Sequence, residues 1–260
     1  MENGTNRFRL GGMNAINLNH PMTFETLAMD SKLKKALIED LNNFLNRKEY
    51  YKRIGKAWKR GYLLYGPPGT GKSSLIAAMA KHLNFDIYDL DLNDIRSNSH
   101  LKSLLPSMSA RSILVIEDID CSIKLENRDS NSQPWNHGNS KMTLSGLLNF
   151  IDGLWSCCGD ERIIIFTTNH KERLDPALLR PGRMDMHICL SYCTISAFKQ
   201  LAFNYLEVGH HILFERIERL VEKVEVTPAE VAEELMKIND PEASLQGLLN
   251  FLQDKMTEQD

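Results

Sequence analysis

The sequence predicts an α/β fold, a mostly parallel sheet of five strands sandwiched by helices, followed by a small all-helical domain. Three observations carry this reading. Short apolar runs recur between stretches of helical periodicity, turn-forming residues separate them, and after Tyr192 the pattern is helical only. Alternation of this kind builds a parallel sheet, whose functional residues gather at the C-terminal ends of the strands.

From Asp30 to Ile54 the chain places Leu33, Leu37, Leu41, Phe44 and Leu45 at helical spacing, with Asp30 or Ser31 as cap and a break expected near Asn46. GYLLY then reads as a strand and GPPGTG as a turn. KSSLIAAMAKHL follows as a helix with Leu75, Ile76, Met79 and Leu83 on one face. FDIYDLDL, SILVIED, RIIIFTTN and MDMHICLSY supply the other strands, with helices at SNSHLKSLL and SGLLNFIDGL. CSIKLENRDSNSQPWNHGNSK, residues 121–141, is polar and turn-rich and reads as a surface loop. Two helix starts are legible further on: TPAE at Thr227 has the order of a capping box with Pro in the first turn, and DPEA at Asp240 repeats the cap-then-Pro order. The expected organisation is a flexible lead over 1–23, an α/β domain over 24–192 and a helical lid over 193–260.

Composition narrows the function. The 260 residues carry 31 Lys plus Arg against 34 Asp plus Glu, and a net charge of -3 gives no electrostatic case for nucleic-acid binding. Cys121, Cys157, Cys158, Cys189 and Cys193 form no paired metal-ligand spacing, and an odd count is a poor disulfide framework, which points to a reducing compartment. The apolar runs are far shorter than the ~20 residues of a membrane span, so no span is expected in this chain.

GPPGTGKS, Gly66 to Ser73, fits the phosphate-binding pattern GxxxxGK(S/T) in its required context between a strand and a helix. Its glycines let successive main-chain N–H groups curl around phosphate oxygens, and the following helix points its positive end at the same place. Gly66, Pro67, Pro68, Gly69, Thr70 and Gly71 form the expected cradle. Lys72 then reaches the outer phosphates, with Ser73 on magnesium and Ser74 completing the nucleotide-contact stretch. SILVI leads into Glu117 and Asp118, two carboxylates at the end of a buried strand, for which a magnesium ion is the natural partner. TTNH brings Asn169 to the end of the next strand, where its amide suits orientation of an attacking water. LDPALLRPGRMD holds Arg180 and Arg183 around a Pro-Gly turn, two cations suited to stabilising charge on a transferred phosphoryl group in a neighbouring subunit.

In this order and spacing, GPPGTGKS, the strand into EDID, TTNH and LDPALLRPGR resemble the AAA ATPases, and the resemblance runs from about Phe24 to the C-terminus. It implies ATP with Mg2+, a helical lid, and a ring in which nucleotide sits between subunits. It also implies Arg180 and Arg183 as arginine fingers, Asn169 as first sensor, and Ala28 and Met29 in a loop near adenine. FETLAMDSKLKKALIEDLNNFLNRKEYYKRIGKAWKRGYLLYGPPGTGKSSLIAAMA and KMTLSGLLNFIDGLWS resemble more closely the branch of the mitochondrial Rieske-protein translocase and its plant relatives. That branch looks to share Glu-Asp where most ring ATPases have Asp-Glu. One methylene moves each carboxylate by roughly 1 Å, which the water shell of magnesium can absorb.

Three departures from the family pattern stand out. The branch implies a membrane helix and a middle domain ahead of the ATPase, whereas only about twenty residues precede Phe24, so the expectation is a truncated paralogue, an alternative product or a fragment. No arginine follows Arg219, leaving the lid without a second-sensor arginine. Asn93 to Met108 lacks an aromatic-apolar-Gly pore loop, which argues against threading by aromatic grip. The expected function is ATP hydrolysis, with Lys72 and Ser73 on phosphates and metal, Glu117 supporting the metal and Asp118 as base. It would be coupled in a homo-oligomeric ring, or a ring mixed with longer paralogues, to remodelling or translocation of a protein client. Two alternatives stay open: a non-hydrolysing nucleotide switch or adaptor, and a small-molecule kinase, which leaves LRPGR without a role. The expected location is intracellular, cytoplasmic or at a mitochondrion.

Overall fold

The structure, a computed structural model, describes residues 13–16, 20–92, 95, 97, 100, 108–122, 144–152 and 161–259. The helix read at SNSHLKSLL, nearly all of the pore-loop segment, Cys157 and Cys158, and the polar loop beyond residue 122 lie outside the described residues. Contacts gather the chain into two compact units. One takes in strand β1 (Met13–Ile16), Asn43–Tyr65 and Leu83–Ile188, and the other His20–Asn42, Gly66–His82 and Cys189–Asp260. Packing thus groups the phosphate loop and its helix with the lid, where the sequence reading kept Gly66–His82 within its α/β domain.

The first unit is built on a sheet. Strands β2 (Lys59–Tyr65), β3 (Asp86–Leu90), β4 (Ser112–Ile116), β5 (Arg162–Thr168) and β6 (Met186–Cys189) are the five read from the sequence. The order is β1-β3-β4-β5-β2-β6, with β3, β4, β5 and β2 mutually parallel. Strand β1 is an addition: it pairs antiparallel with β3, Met13 opposite Leu90, within the lead expected to be flexible. Register aligns the strand ends that matter, since Ile116 lies opposite Phe166 and Tyr65 opposite Thr168. Every residue of β4 and β5 is buried, the signature of a parallel sheet covered on both faces. On one face Leu63, Leu90, Leu114, Ile116, Ile164 and Phe166 pack with Leu147, Phe150 and Ile151 of the helix Leu144–Asp152, and with Leu178 and Met184.

Helix α1 (Ser31–Leu45) starts at Asp30, whose carboxylate accepts from the N–H groups of Lys32 at 3.0 Å and Leu33 at 2.9 Å. It buries Leu37, Leu41 and Phe44, and breaks at Asn46 and Arg47 before α2 (Lys48–Arg53). Helix α3 (Lys72–Leu83) buries Leu75, Ile76, Met79 and Leu83 as their spacing predicts. The helix Leu144–Asp152 is α4, and the lid consists of α5 (Ile195–Leu206), α6 (Phe214–Val221), α7 (Pro228–Met236) and α8 (Pro241–Gln259). The lid core joins Phe198, edge-on to Phe214 at 5.0 Å, with Ile217, Val231, Leu235, Leu245, Leu248 and Leu252. Both helix starts legible in the sequence form: Thr227 and Glu230 make a reciprocal capping box, and Asp240 accepts from the N–H of Ala243 at 2.9 Å. Among the described residues no helix is long and apolar enough to cross a membrane.

Gly61 shows why β2 needs a glycine. The turn after Arg180 runs against it, so a Cβ there would lie 1.7 Å from the carbonyl oxygen of Arg183. Asp185 fastens the approach: its N–H donates to Gly61 O at 2.8 Å, and its carboxylate accepts from the N–H groups of Gly61 and Gly182, each at 2.9 Å. Gly61→Ala forces the backbones apart and is expected to cost about 3 kcal/mol by the cost of overpacking. Thermal unfolding should register this as a fall of about 5–10 °C for a chain of this size.

Candidate functional site

The phosphate loop belongs to the second unit. Gly66, Gly69 and Gly71 have φ of 140°, 79° and 91°, conformations that a side chain disfavours. A Cβ on Gly66 would also lie 1.9 Å from the carbonyl oxygen of Leu190. Three of the loop's carbonyls, those of Gly66, Pro67 and Gly69, are engaged. Lys72 Nζ donates to Gly66 O at 2.8 Å and to Pro67 O at 3.0 Å, the buried Thr70 hydroxyl donates to Pro67 O at 2.8 Å, and the N–H of Ala229 on α7 donates to Gly69 O at 3.1 Å. Of the three peptides so held, Gly66–Pro67 and Pro67–Pro68 carry no N–H, and in the trans Gly69–Thr70 peptide the C=O held by Ala229 directs the Thr70 N–H the opposite way. Followed by the N-terminus of α3, a loop of this conformation forms an anion cradle. Lys72 is half-buried over the loop, and Ser73 is exposed.

The segment expected near adenine is tied down in the same unit. Lys34 Nζ donates to the carbonyls of Phe24 at 2.8 Å and Leu27 at 2.6 Å, and Asn204 of α5 donates to Thr26 O at 2.7 Å. Burial lowers the Lys34 pKa. Met29 is buried, and Ala28 packs against the lid core.

The carboxylates stand in the first unit, at the aligned ends of β4 and β5. Glu117 and Asp118 are exposed, and Asp118 has a left-handed backbone, φ 46°. The Thr167 hydroxyl accepts the Asp118 N–H at 3.1 Å, and the Asn169 amide donates to Asp118 Oδ1 at 3.5 Å. The structure therefore brings Asn169 and Asp118 together, as their assigned roles require. It adds a tie that the sequence reading did not single out: the fully buried Thr168 donates its hydroxyl to Asp120 Oδ1 at 2.5 Å and accepts from the N–H of His170 at 3.0 Å. The signal was present in the EDID and TTNH stretches, but which polar residues face one another depends on the strand register.

The two arginines differ. Arg180 is exposed. Arg183 is mostly covered, 18% exposed in its side chain, and is held by Asp152 at the end of α4, with Nε 2.7 Å and Nη2 2.6 Å from Oδ2. Its Nη1 also donates to Ala177 O, and Lys59 Nζ donates to Ile151 O at 2.6 Å beside the same carboxylate. Arg183 thus organises its own turn in this chain, and Arg180 is the arginine presented outward. Cys193 is a structural thiol, since burial pushes its pKa up to about 12. Among the described residues no three His, Cys, Asp or Glu side chains cluster as a metal cage. Each unit carries oxygen donors of a type that magnesium accepts, the Ser73 hydroxyl in the second and the Glu117 and Asp118 carboxylates in the first.

A glycine-rich loop between a parallel strand and a helix, two carboxylates and an asparagine after neighbouring strands, and a set of helices closing the chain are the parts of an ATPase-type nucleotide-binding module. The chain belongs to the AAA family, the ATPase family associated with various cellular activities, whose model matches residues 62–192, and residues 193–260 match the At3g28540-like AAA+ ATPase lid domain. It is 63% identical over 241 residues to AAA-ATPase At3g50940 of Arabidopsis thaliana, covering 93% of this chain and 53% of that protein. It is 62% identical over 250 residues to Protein HYPER-SENSITIVITY-RELATED 4 of the same plant, covering 94% and 43% respectively. AAA-ATPase At2g18193, also of Arabidopsis thaliana, is 60% identical over 250 residues, with 95% and 50% covered. The chain spans about half the length of the curated relatives it matches.

Gly66→Ala tests the cradle, because it opposes both the backbone conformation and the approach to Leu190. The expected result is at least about 10-fold weaker Mg-ATP binding, the loss expected when a cradle of main-chain donors is displaced, read by calorimetric titration.

Proposed function

We propose that this chain binds ATP with magnesium and hydrolyses it to ADP and phosphate. The observation that carries the reading is the phosphate loop: three positive-φ glycines, carbonyls held by Lys72, Thr70 and Ala229, and the start of α3. Triphosphate oxygens accept from the loop's N–H groups, and Lys72 exchanges its carbonyl partners for the outer phosphates, gaining a charge-assisted contact. Ser73 and Glu117 would hold the magnesium, partly through water, and the ion would neutralise charge on the phosphates. Asp118 takes a proton from the water that attacks the γ-phosphorus, while Asn169, whose amide faces the Asp118 carboxylate, fixes that water's direction. The γ-phosphate leaves as inorganic phosphate and the β-phosphate oxygen keeps the electron pair.

The exposed Arg180 is the better candidate for donation to a neighbouring copy, and Arg183 for keeping the turn in shape. This supports a ring, of this chain alone or mixed with longer paralogues, in which hydrolysis drives remodelling or translocation of a protein. The Glu117-Asp118 order supports placement beside the Rieske-protein translocase branch. A non-hydrolysing switch is the second reading, favoured by that same order and by the absence of arginine from the sequence after Arg219.

Asp118→Asn separates them. Hydrolysis predicts a turnover about 10²–10⁴-fold slower, the usual contribution of a positioned base, with Mg-ATP affinity nearly unchanged. Phosphate release by the unaltered protein no faster than by Lys72→Ala would establish the switch instead.

A further inference from the structure

The lid lacks an arginine in its last helices, yet it touches the phosphate loop by main chain. The N–H of Ala229, in the first turn of α7, donates to Gly69 O at 3.1 Å. The approach is close: a Cβ on Gly69 would lie 3.2 Å from Thr227 Oγ1 and 3.3 Å from the Ala229 Cβ. Gly69 C=O and Thr70 N–H belong to one trans peptide, so a carbonyl fixed on α7 turns the Thr70 N–H away from that lid helix.

What fixes α7 is a built network. Glu230 Oε2 accepts from the Thr227 N–H at 2.7 Å and from the Thr227 hydroxyl at 2.8 Å, while Thr227 Oγ1 accepts the Glu230 N–H at 3.3 Å. The other carboxylate oxygen pairs with Lys255 of α8, whose side chain is 18% exposed and whose ammonium lies 5.7 Å from the centre of the Phe251 ring. The far end of α7 is held as well, by the buried Ser244 hydroxyl of α8 donating to Leu235 O at 3.1 Å. Lys255 therefore clamps the end of α7 that meets the loop, and Ser244 the end that does not.

We infer that Lys255, through the Glu230-Thr227 box and the Ala229 N–H, is a positioning residue that orients the Gly69–Thr70 peptide for a triphosphate, coupling lid and nucleotide without an arginine in the last two lid helices. The inference rests on the ATP reading above. Coupling is reciprocal: triphosphate that prefers the oriented peptide tightens the lid network, and a loosened network weakens triphosphate. Because Lys255 acts through Glu230 and the Ala229 N–H, its loss acts on affinity rather than on the chemical step.

The test compares the full chain with Lys255→Met, Glu230→Gln and Lys255→Arg, measuring Mg-ATP affinity by titration, KM and kcat for phosphate release, and unfolding temperature with and without Mg-ATP. Glu230→Gln keeps an oxygen for the Thr227 N–H while removing the charge from the Lys255 pair. The expected result is about 5–20-fold weaker affinity and higher KM in Lys255→Met and Glu230→Gln, within the usual range of coupling between sites. Their kcat should stay within about twofold, their ATP-induced stabilisation should shrink, and Lys255→Arg should restore it. If both charge-removing variants lower the nucleotide-free unfolding temperature yet bind Mg-ATP as the unaltered chain does, the contact is only a structural tie and the inference is overturned. Absence of Mg-ATP binding by the unaltered chain would instead overturn the ATP reading itself, and the coupling with it.

Discussion

The site depends on how the Gly69–Thr70 peptide is held, with its carbonyl on the Ala229 N–H. A loop of main-chain donors binds an anion only if its carbonyls, equally strong and opposite in sign, are directed elsewhere. Here the Ala229 N–H holds the Gly69 carbonyl and the Thr70 hydroxyl the Pro67 carbonyl, while Lys72 covers the carbonyls of Gly66 and Pro67 until a triphosphate takes their place. The glycines permit the conformation, and the three donors select it. Order of this kind is established during folding, so an arriving triphosphate meets donors that need little rearrangement.

The carboxylate end follows a related rule. A left-handed backbone at Asp118 costs about 1–3 kcal/mol and persists where its surroundings over-determine it. The Thr167 hydroxyl on the Asp118 N–H and the Thr168–Asp120 bond are those surroundings. They tie the turn after β4 to the end of β5, the strand that Asn169 directly follows. The reversed Glu-Asp order is therefore set in a turn braced by its neighbour strand, which gives the exchanged carboxylates defined positions rather than the freedom of a loose loop.

Much of this was legible in the residues. The five strands, the break of α1 near Asn46, the Asp30 cap and the Thr227 capping box follow from local periodicity and turn chemistry, which act over a few residues. The phosphate loop was legible because its function constrains consecutive residues. Strand β1 was not, since a four-residue edge strand in a Gly- and Asn-rich lead has almost no pattern of its own and forms by pairing with β3. The separation of Arg180 from Arg183 was also hidden. It depends on Asp152, 31 residues away in sequence, and on the approach of the turn to Gly61. The contact of Gly69 with Ala229 joins residues that only the tertiary structure brings together.

The central claim is that the loop recognises phosphate charge through oriented main chain and Lys72. Its most direct measurement is calorimetric titration of the chain, and of its Lys72→Ala variant, with Mg-ATP and with AMP. The account predicts that the chain binds Mg-ATP at least about 100-fold more tightly than AMP, the order expected when charge-assisted phosphate contacts supply the affinity, and that Lys72→Ala loses most of the difference. Equal affinities for ATP and AMP, or a preference for ATP that survives Lys72→Ala undiminished, would contradict it.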